Sequence, residues 1–447
     1  MIKKFKDKNI SIVGLGYVGL TLATVMANKG FYVQGIEKRK SIVDLINKGR
    51  SFFFEPGLER YLTRLTRSNK LKAKYTFDKK KDQTDVYIIT VGTPIKQNNK
   101  PRLDMIKRAT KEVASHMKDG VLVILRSTVK IGTTRNIVKK ILQKTGKKFD
   151  LAMCPERTLE GNALKELLTN PQIIGADTDR ERARASSVFK KITKTVIPVS
   201  SLETAEIMKL VDNTYRDVNF AFSNEIARVC EVFRINVLEV ISSGKRNFKR
   251  TNLPIPGLVG GPCLEKDPHI LIDSVKFAGI NLEITKSARL VNERQPRETL
   301  KFVFNEIKKR FNKKKIKIAL LGIAFKGIPA TSDLRGSMSL KVLRHIETNC
   351  PNNIVALFDP VISCQNLEKE ISGNFLFSKS LLNAVKNSSV VIITNNHPHL
   401  STLNLFKLSK LMKRNGFIYD YWNLFADISL KKLPNFYYSV GNINSLK

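Results

Sequence analysis

A glycine-rich segment near the start of the chain, Gly14-Leu15-Gly16-Tyr17-Val18-Gly19, constrains the fold more than any other feature. An apolar run, NISIV, precedes it, and the helical pattern LTLATVMANKG follows it. Three glycines at this spacing allow a tight turn and a close approach of the backbone, so that amides at a helix N-terminus can meet pyrophosphate oxygens. The segment therefore predicts a strand, a turn and a helix that bind a dinucleotide, although a glycine turn that only packs a helix on a sheet has the same pattern.

Glu37 directly follows the next apolar run, FYVQGI, about 20 residues after the glycines, where this motif places a carboxylate for the ribose hydroxyls. A carboxylate there repels the 2′-phosphate of NADP, so the sequence favours NAD as the cofactor. Thr93, in VGTP, and Thr128, in RSTV, follow two later buried runs, at the edge where α/β sheets bind ligands. Each threonine is predicted either to cap a helix or to contact the cofactor.

Apolar runs alternate with helical patterns in two series, which predicts two mainly parallel sheets covered by helices. The first series has short buried runs at residues 9–14, 31–36, 85–91, 121–125 and 172–175. A helical apolar repeat then continues from about Ser200 to Phe233, which is long for a globular helix. The second series starts near Lys315 with KIALLG and continues at 353–360, 389–395 and 416–422. We therefore predict an α/β fold in which two Rossmann-like, doubly wound domains are joined by a central helical region with a long helix.

Length, charge and cysteine content argue against several classes of protein. A chain of 447 residues suggests two or three domains, and it has no run of about 18 apolar residues that would span a membrane. The basic and then apolar N-terminus is interpreted as a first strand and not as a signal peptide, so a cytoplasmic protein is expected. The net charge of +39 is spread along the chain without a nucleic-acid module, and it suits anionic small molecules. The five cysteines are scattered, which predicts neither a disulfide framework nor a metal site.

The segment Gly260-Gly261-Pro262-Cys263-Leu264-Glu265-Lys266-Asp267 combines glycines with a thiol, a cation and carboxylates. Glycines beside a cysteine let backbone amides approach a bound group, and Lys266 would favour the thiolate. If the segment is helical, Asp267 shares a helix face with Cys263, four residues before it. A nucleophilic thiol beside a hydride-accepting cofactor suggests oxidation beyond the aldehyde, through a thioester that water hydrolyses. Taken alone, a buried and inert cysteine is the simpler interpretation.

Several motifs occur in one order along the chain, namely GLGYVGL, EPGL at 55–58, VGTP, RSTV, PERTLEG at 155–161, the Lys209/Asn213 pair, GGPCLEKD, and GIAFKG with DLRGS at 322–337. Together they resemble the UDP-glucose/GDP-mannose dehydrogenase family, and the resemblance extends from Ile10 to about Asn423. It implies an NAD-binding domain over residues 1–199, a central helical dimerisation domain with the cysteine over 200–307, and a C-terminal UDP-sugar-binding domain over 308–447. A homodimer or higher homo-oligomer is the implied assembly, with neither a nucleic acid nor a membrane as partner.

The resemblance also implies catalytic roles. Cys263 is the implied nucleophile that holds a thiohemiacetal and then a thioester. Lys209 and Asn213, four residues apart on one helix face, would bind the reacting oxygen as negative charge builds on it. From the residues alone, a solvated helix face is the simpler interpretation of that pair. Asp267 would take part in proton transfer with a water and Lys209.

Other residues match family positions that contact a water, the cofactor or the substrate. Thr128 and Glu156 match positions that hold a water and act as acid or base. The predicted cofactor contacts are Gly14, Gly16, Tyr17, Val18, Gly19, Glu37, Thr93, Thr128, Lys266 and Arg335. The predicted substrate contacts are Arg157, Lys209, Asn213, Gly260, Lys326 and Arg250, with Arg246 as the alternative to the last.

Arg157, in Pro155-Glu156-Arg157, bears on the identity of the sugar. UDP-glucose enzymes of the family usually have the sequence P-E-F at this position, and N-acetylhexosamine enzymes usually have P-E-R. The guanidinium of arginine offers hydrogen-bond donors to an acetamido group, and the ring of phenylalanine has none. A surface arginine paired with Glu160 is the alternative. The sequence YDYWN at 419–423 also resembles the N-acetylhexosamine branch. We therefore expect a four-electron, NAD-dependent oxidation of C6 of a UDP-N-acetylhexosamine, with UDP-glucose as the second candidate and GDP-mannose as the third.

Two other classes of protein make different predictions. An ordinary two-electron dehydrogenase of hydroxy acids or sugar acids would produce one NADH per substrate and would not need Cys263. A basic nucleic-acid-binding protein with a nucleotide fold would bind DNA or RNA with an affinity that falls steeply with salt.

Overall fold

The structure, a computed structural model, describes residues 5–78, 83–248, 250–312, 315–425 and 436–443. The chain divides into two compact units. The first contains residues 1–213 and 269–281, and the second contains residues 214–268 and 282–447. Each unit is built on one mainly parallel sheet, which confirms the predicted α/β fold class. The predicted limits of three domains, at residues 199 and 307, stay predictions.

The first unit has a sheet with eight strands among its described residues. They are β1 (Asn9–Val13), β2 (Tyr32–Ile36), β3 (Leu71–Lys74), β4 (Val86–Ile89), β5 (Val121–Leu125), β6 (Phe149–Met153), β7 (Gln172–Gly175) and β8 (Val196–Val199). Their order is β3-β2-β1-β4-β5-β6-β7-β8. β1 to β6 are parallel, whereas β7 runs antiparallel to β6. The strand order reverses between β1 and β4, and open α/β sheets bind ligands at the carboxyl ends of strands at such a point.

Both faces of this sheet are buried. Ile10 and Ile12 of β1 pack in one apolar cluster, whereas Val13 of the same strand packs in another. Burial on two sides explains why the strands read as nearly continuous apolar runs. The helices of the unit are α1 (Tyr17–Asn28), α2 (Lys40–Asn47), α3 (Leu58–Arg67), α4 (Asp104–His116), α5 (Lys140–Gln143), α6 (Ala163–Thr169) and α7 (Asp179–Phe189). A π-helical segment, Thr134–Lys139, leads into α5.

A long helix follows, as predicted from the apolar repeat at 200–233. This helix, α8 (Leu202–Phe233), has 32 residues, of which those up to Asn213 belong to the first unit and the rest to the second. The next helices are α9 (Val237–Lys245), α10 (Gly261–Leu264), α11 (Asp267–Val275) and α12 (Glu283–Phe311), with a 3-10 turn at Lys276–Ala278. None of the helices in the described ranges is long and apolar enough to cross a membrane.

The second unit has a six-stranded parallel sheet within its described residues. Its strands are β9 (Lys317–Leu321), β10 (Ile354–Phe358), β11 (Phe375–Phe377), β12 (Val390–Ile393), β13 (Phe417–Asp420) and β14 (Tyr437–Ser439). Its later helices are α13 (Met338–Asn349), α14 (Cys364–Glu370), α15 (Leu381–Val385), α16 (Pro398–Ser401) and α17 (Leu405–Leu411). The order β11-β10-β9-β12-β13-β14 repeats the order of the first six strands of the other sheet, so both units are doubly wound.

Candidate functional site

The glycine segment forms the turn between β1 and α1. Gly14 has a φ of +94°, in the left-handed region that favours glycine. A Cβ on Gly19 would stand 1.9 Å from the carbonyl oxygen of Gly14, so no side chain fits there. Gly16 precedes α1 without a side-chain cap, and a Cβ on it would meet no described atom within 4 Å. Packing therefore does not require glycine at position 16, and its bare backbone leaves the first amides of α1 open to a diphosphate.

Glu37 lies at the carboxyl end of β2, close to this turn, and is buried. Its Oε2 accepts a hydrogen bond from the amide of Leu15 at 3.2 Å, and its Oε1 accepts one from Nε of Arg39 at 2.9 Å. Burial acts to raise the pKa of Glu37, but the hydrogen bonds from Arg39 and Leu15 and the charge of Arg39 outweigh it, and the pKa lies below its usual value. Glu37 is thus an ionised acceptor beside the glycine turn, and together they fit a dinucleotide with free ribose hydroxyls.

Tyr17 opens α1, and its hydroxyl is engaged within the protein. It donates to Glu55 and accepts from the amide of Gly161 at 2.6 Å. Burial and the bond to Glu55 raise the pKa of Tyr17 above its usual value, so the phenol stays neutral. The predicted cofactor contacts at Tyr17 and Val18 stay predictions, for which the backbone amides of the first helical turn are the groups that remain.

Thr93 and Thr128 follow the adjacent strands β4 and β5. The hydroxyl of Thr93 donates to the carbonyl oxygen of Thr128 at 2.5 Å, so it joins the two strand ends and does not cap a helix. A similar bond, from Ser127 Oγ to the carbonyl oxygen of Val91 at 2.7 Å, lies beside it. The backbone that carries Thr128 is thus fixed at the carboxyl edge of the sheet, where its predicted contact with the cofactor or a water would be made.

Glu206 of α8 was not among the predicted site residues, yet it holds the segment that follows Thr128. Its Oε2 accepts from the amide of Gly132 at 2.5 Å, and its Oε1 accepts from the amide and the hydroxyl of Thr134 at 2.8 and 2.6 Å. Burial raises the pKa of Glu206 to about 7, although these hydrogen bonds act in the opposite direction. The signal in the sequence was its position three residues before Lys209, on the same helix face.

Glu156, just after β6, lies within electrostatic reach of Lys209. Its Oε2 accepts from Arg126 at 2.7 and 3.0 Å, and its Oε1 accepts from the amides of Arg157 and Thr158 at 2.7 and 2.8 Å. Burial acts to raise the pKa of Glu156, but the charge of Arg126, the Thr158 amide and the charge of Lys209 outweigh it and lower the pKa. Glu156 is therefore ionised at neutral pH, and of the two predicted roles it suits the base better than the acid.

Lys209 and Asn213 are buried, with 7% and 5% of their surfaces exposed. The interpretation of this pair as a solvated helix face is therefore wrong. With Glu206 they occupy positions i, i+3 and i+7 of α8, so three polar side chains share one buried helix face. Apolar residues normally occupy such a face, and polar ones are retained where they are hydrogen-bonded or serve a ligand.

Arg157 forms an ion pair with Asp212 of α8, with 2.7 Å between Nε and Oδ2. The alternative partner named from the sequence, Glu160, stays a prediction. Both side chains of the pair are partly exposed. A guanidinium has five N–H donors, so the bond through Nε leaves its terminal amino groups with donors for a ligand.

Cys263 is an exposed residue, so the interpretation as a buried cysteine is wrong. The backbone before it is tightly packed. The amide of Gly261 donates to the carbonyl oxygen of Gly336 at 2.7 Å, and a Cβ on Gly260 would stand 2.4 Å from that oxygen. A Cβ on Gly261 would stand 2.3 Å from the ring of Phe325. Close packing within the protein thus requires both glycines, in addition to any approach of a ligand.

Lys266 and Asp267 differ from the sequence-based expectation. A turn at 265–266 separates α10 from α11, so Cys263 and Asp267 do not share one continuous helix face. Nζ of Lys266 bonds to Oδ1 of Asp267 at 2.6 Å, and Asp267 is fully buried. One of the three ammonium donors therefore serves this carboxylate, and the predicted influence of Lys266 on the thiol stays a prediction.

The remaining predicted contacts lie on loops of the second unit. Arg335 is exposed and pairs with Asp333, its Nε at 2.9 Å from Oδ2. Nζ of Lys326 lies 5.4 Å from the ring centre of Phe325. Arg250 is exposed between α9 and α10, and Arg246 follows the last turn of α9. Their roles toward cofactor or substrate stay predictions.

Known proteins match the chain over nearly its whole length. Residues 8–193, 203–294 and 319–427 match the NAD binding, central and UDP binding domains of the UDP-glucose/GDP-mannose dehydrogenase family. The UDP-N-acetyl-D-mannosamine dehydrogenase of Pyrococcus horikoshii is 32% identical over 426 residues, 94% of this chain and 96% of that protein. The protein of that name from Campylobacter jejuni is 35% identical over 365 residues, 78% and 86% of the two chains. A solved UDP-glucose dehydrogenase from Pyrobaculum islandicum, 25% identical, has a TM-score of 0.87 with 99% of each chain covered.

Proposed function

The chain belongs to the UDP-glucose/GDP-mannose dehydrogenase family and is an NAD-dependent nucleotide-sugar dehydrogenase, and from this premise we propose that it oxidises C6 of UDP-N-acetyl-D-mannosamine to the carboxylate with Cys263 as nucleophile. Two relatives that carry this substrate in their names support the choice of sugar. Arg157, in the P-E-R sequence, supports an N-acetylhexosamine independently of those names.

The observation that carries the proposal is the buried set on α8 and its neighbour after β6. Lys209 and Asn213 offer an ammonium and an amide donor from a buried face, where their attraction for a developing oxyanion is little screened by water. The ionised Glu156 lies near enough for its pKa to respond to the charge of Lys209. Lys209 and Asn213 would therefore hold the reacting oxygen, and Glu156 would accept a proton from water, directly or through Thr128.

The cofactor is assigned to the glycine turn and Glu37, and its chemistry when bound is the acceptance of hydride. The chain supplies the nucleophile itself. The sulfur of Cys263, an exposed residue, adds to the carbonyl carbon of the aldehyde, and it later carries the acyl group as a thioester until water releases the acid. Asp267 is proposed to assist proton transfer in this last step.

Measurement of NADH formation with UDP-N-acetylmannosamine, UDP-N-acetylglucosamine, UDP-glucose and GDP-mannose tests the proposal. We expect the highest kcat/KM with the first sugar and two NADH per sugar consumed. Cys263→Ser should release no acid, whereas Cys364→Ser, at a partly exposed cysteine of α14, should behave as wild type. One NADH per sugar, or acid released at full speed by Cys263→Ser, would contradict the proposal.

UDP-glucose is the second candidate, because the fold of a UDP-glucose dehydrogenase covers the chain equally well. Arg157→Phe should then shift the ratio of kcat/KM values toward UDP-glucose, since the ring removes the donors for an acetamido group. Asp212→Asn is the matched control, because it breaks the ion pair of Arg157 and keeps the guanidinium. Unchanged selectivity in Arg157→Phe would argue against this role.

A homodimer is part of the proposal and is supported by an exposed apolar stripe along α8. Its members are Ile207, Val211, Tyr215, Phe222 and Val229, each more than a third exposed. Contiguous apolar surface of this kind marks an interface. Light scattering should give twice the chain mass, and Phe222→Asp should lower the measured mass.

The cytoplasmic location and a role in polysaccharide synthesis also stay part of the proposal. Cell fractionation tests the location.

A further inference from the structure

Arg289 of α12 is one of the most deeply buried charged side chains among the described residues, with 1% of its surface exposed. A buried guanidinium is tolerated only when it is paired and hydrogen-bonded. Its Nη1 donates to Oδ1 of Asp217 at 2.5 Å and to the carbonyl oxygen of Leu264 at 2.9 Å. Its Nη2 donates to the carbonyl oxygen of Val259 at 3.1 Å. All four residues belong to the second unit.

The two carbonyl acceptors enclose the segment that carries the thiol. Val259 directly precedes Gly260, and Leu264 directly follows Cys263. One planar guanidinium therefore fixes both ends of this short segment at once. The donors of arginine form a rigid fork, whereas a lysine ammonium is a single point on a flexible stem, so lysine cannot reproduce the two bonds in the same plane.

A second set of bonds anchors Arg289 and the chain before the segment. Nδ2 of Asn292, also on α12, donates to the carbonyl oxygen and to Oδ1 of Asp217 at 2.8 and 2.9 Å. Nδ2 of Asn224 on α8 donates to Oδ1 of Asn292 at 3.0 Å, and its Oδ1 accepts from the amide of Gly257 at 2.9 Å. The helices α8 and α12 thus hold the backbone from Gly257 to Leu264 through a connected polar network.

The network holds the backbone on both sides of an exposed residue, Cys263. The amide of Gly261 is bound to the carbonyl oxygen of Gly336, yet Cys263 is exposed. An apolar cluster of similar volume would stabilise the fold at least as well as a buried ion pair. The network is therefore explained better by a need to fix the position of one reactive atom than by stability.

We propose that Arg289, supported by Asp217, is a positioning residue for the nucleophile: it binds the carbonyl oxygens of Val259 and Leu264 and so fixes the direction of the Cys263 thiol. The proposal rests on the proposed function, because it requires Cys263 to act on the sugar. A nucleophile displaced by about 1 Å loses on the order of 100-fold in rate. Loss of the hydrogen bonds from Arg289 to Val259 and Leu264 should therefore lower kcat and leave the affinity for the cofactor unchanged.

The test compares Arg289→Lys with a matched variant, Arg184→Lys. Arg184 is also a buried arginine, and it pairs with Asp7 and Asp150 and donates to the carbonyl oxygen of Gly120, all in the first unit. Three quantities are measured on the full chain: kcat with UDP-N-acetylmannosamine, KM for NAD, and hydrogen exchange of the peptide from Gly257 to Leu264 by mass spectrometry.

Arg289→Lys should lower kcat about tenfold or more, keep KM for NAD within about twofold, and speed exchange in the peptide that contains Cys263. Arg184→Lys should leave kcat and that exchange unchanged. An unchanged kcat in Arg289→Lys, or the same loss of kcat in both variants, would overturn the proposal. If Arg289→Lys does not fold, Asn292→Ala takes its place, because it removes the two bonds to Asp217 and keeps the guanidinium. The same three quantities are measured, and the same results support or overturn the proposal.

Cys263→Ser, assayed in parallel, separates the two levels of inference. If Cys263→Ser still forms acid at full speed, the proposed function fails. If it forms none while Arg289→Lys keeps the wild-type kcat, the function stands and only the positioning role fails.

Discussion

Replacing Glu206 with glutamine removes a buried carboxyl group that titrates near neutral pH in the folded chain. Only 1% of Glu206 is exposed, and its carboxylate accepts hydrogen bonds from Gly132 and Thr134. Burial penalises the charged form more than these bonds favour it, and it raises the pKa from 4.5 to about 7. The variant keeps the size of the side chain and removes the titration.

The sign and size of the effect follow from proton linkage. Between pH 4.5 and about 7, the folded chain holds a proton on Glu206 that the unfolded chain has released. The free energy of unfolding therefore falls as the pH rises through this window and is level above it. A pKa that moves from 4.5 to about 7 corresponds to about 3 kcal/mol. The stability of wild type relative to Glu206→Gln should thus decrease by about 3 kcal/mol from pH 4.5 to above 7.

Urea unfolding followed by circular dichroism at several pH values measures this difference, because other carboxyl groups contribute equally to both proteins. Two compact units need not unfold together, so hydrogen exchange of the peptide from Lys130 to Lys139 reports the first unit separately. Glu225→Gln, which removes a carboxyl group at an exposed position of the same helix, is the matched control. A difference between wild type and Glu206→Gln that stays constant, or grows, with rising pH would refute the reasoning.

Other predictions concern the cofactor turn and the carboxylate after β6. Gly16→Ala should raise KM for NAD about tenfold without a change in Tm, because the new Cβ would occupy only the space proposed for the diphosphate. Gly19→Ala should instead lower Tm, because its Cβ would stand 1.9 Å from a backbone oxygen of the turn. Glu37→Ala should narrow the preference for NAD over NADP, measured as the ratio of kcat/KM values, because Arg39 is released from its carboxylate partner. In wild type, kcat should fall as the pH drops through the lowered pKa of Glu156, and Glu156→Gln should lower kcat at neutral pH and abolish that acid limb.

Most interior strands of both sheets were predictable, because they are buried on two sides and read as nearly continuous apolar runs. β5 and β7 begin and end at the predicted residues. β3, with the sequence LKAK, and β11, with FLF, lie at sheet edges and are partly exposed, so their short, mixed patterns gave no strand signal. The apolar sequence of β6 is interrupted by Asp150, so the pattern did not predict a strand there. Arg180 and Arg184 from α7 compensate the charge of Asp150, and sequence spacing does not reveal this contact.

The candidate site divides in the same way. The position of Glu37 beside the glycine turn was predictable because its neighbours in sequence carry the signal, and the role of Cys263 stays a prediction. Glu206 and Arg289 were not, because their partners lie 72 to 74 residues away in the sequence for Glu206 and 25 to 72 for Arg289. A single sequence shows that a polar residue lies at helical spacing from others, but only the tertiary fold defines its burial and its partner.

Buried polar residues recur along α8 in each of the two units. Glu206, Lys209, Asn213 and Asp217 are spaced by three, four and four residues, so they lie in one line along the helix, and all four are buried. Glu206 holds the segment after Thr128, and Asp217 holds Arg289 beside the thiol segment. Lys209 and Asn213, between them, are the proposed oxyanion donors. Four polar residues on a buried face cost stability relative to apolar ones, and a chain retains such a conflict where a reaction requires it.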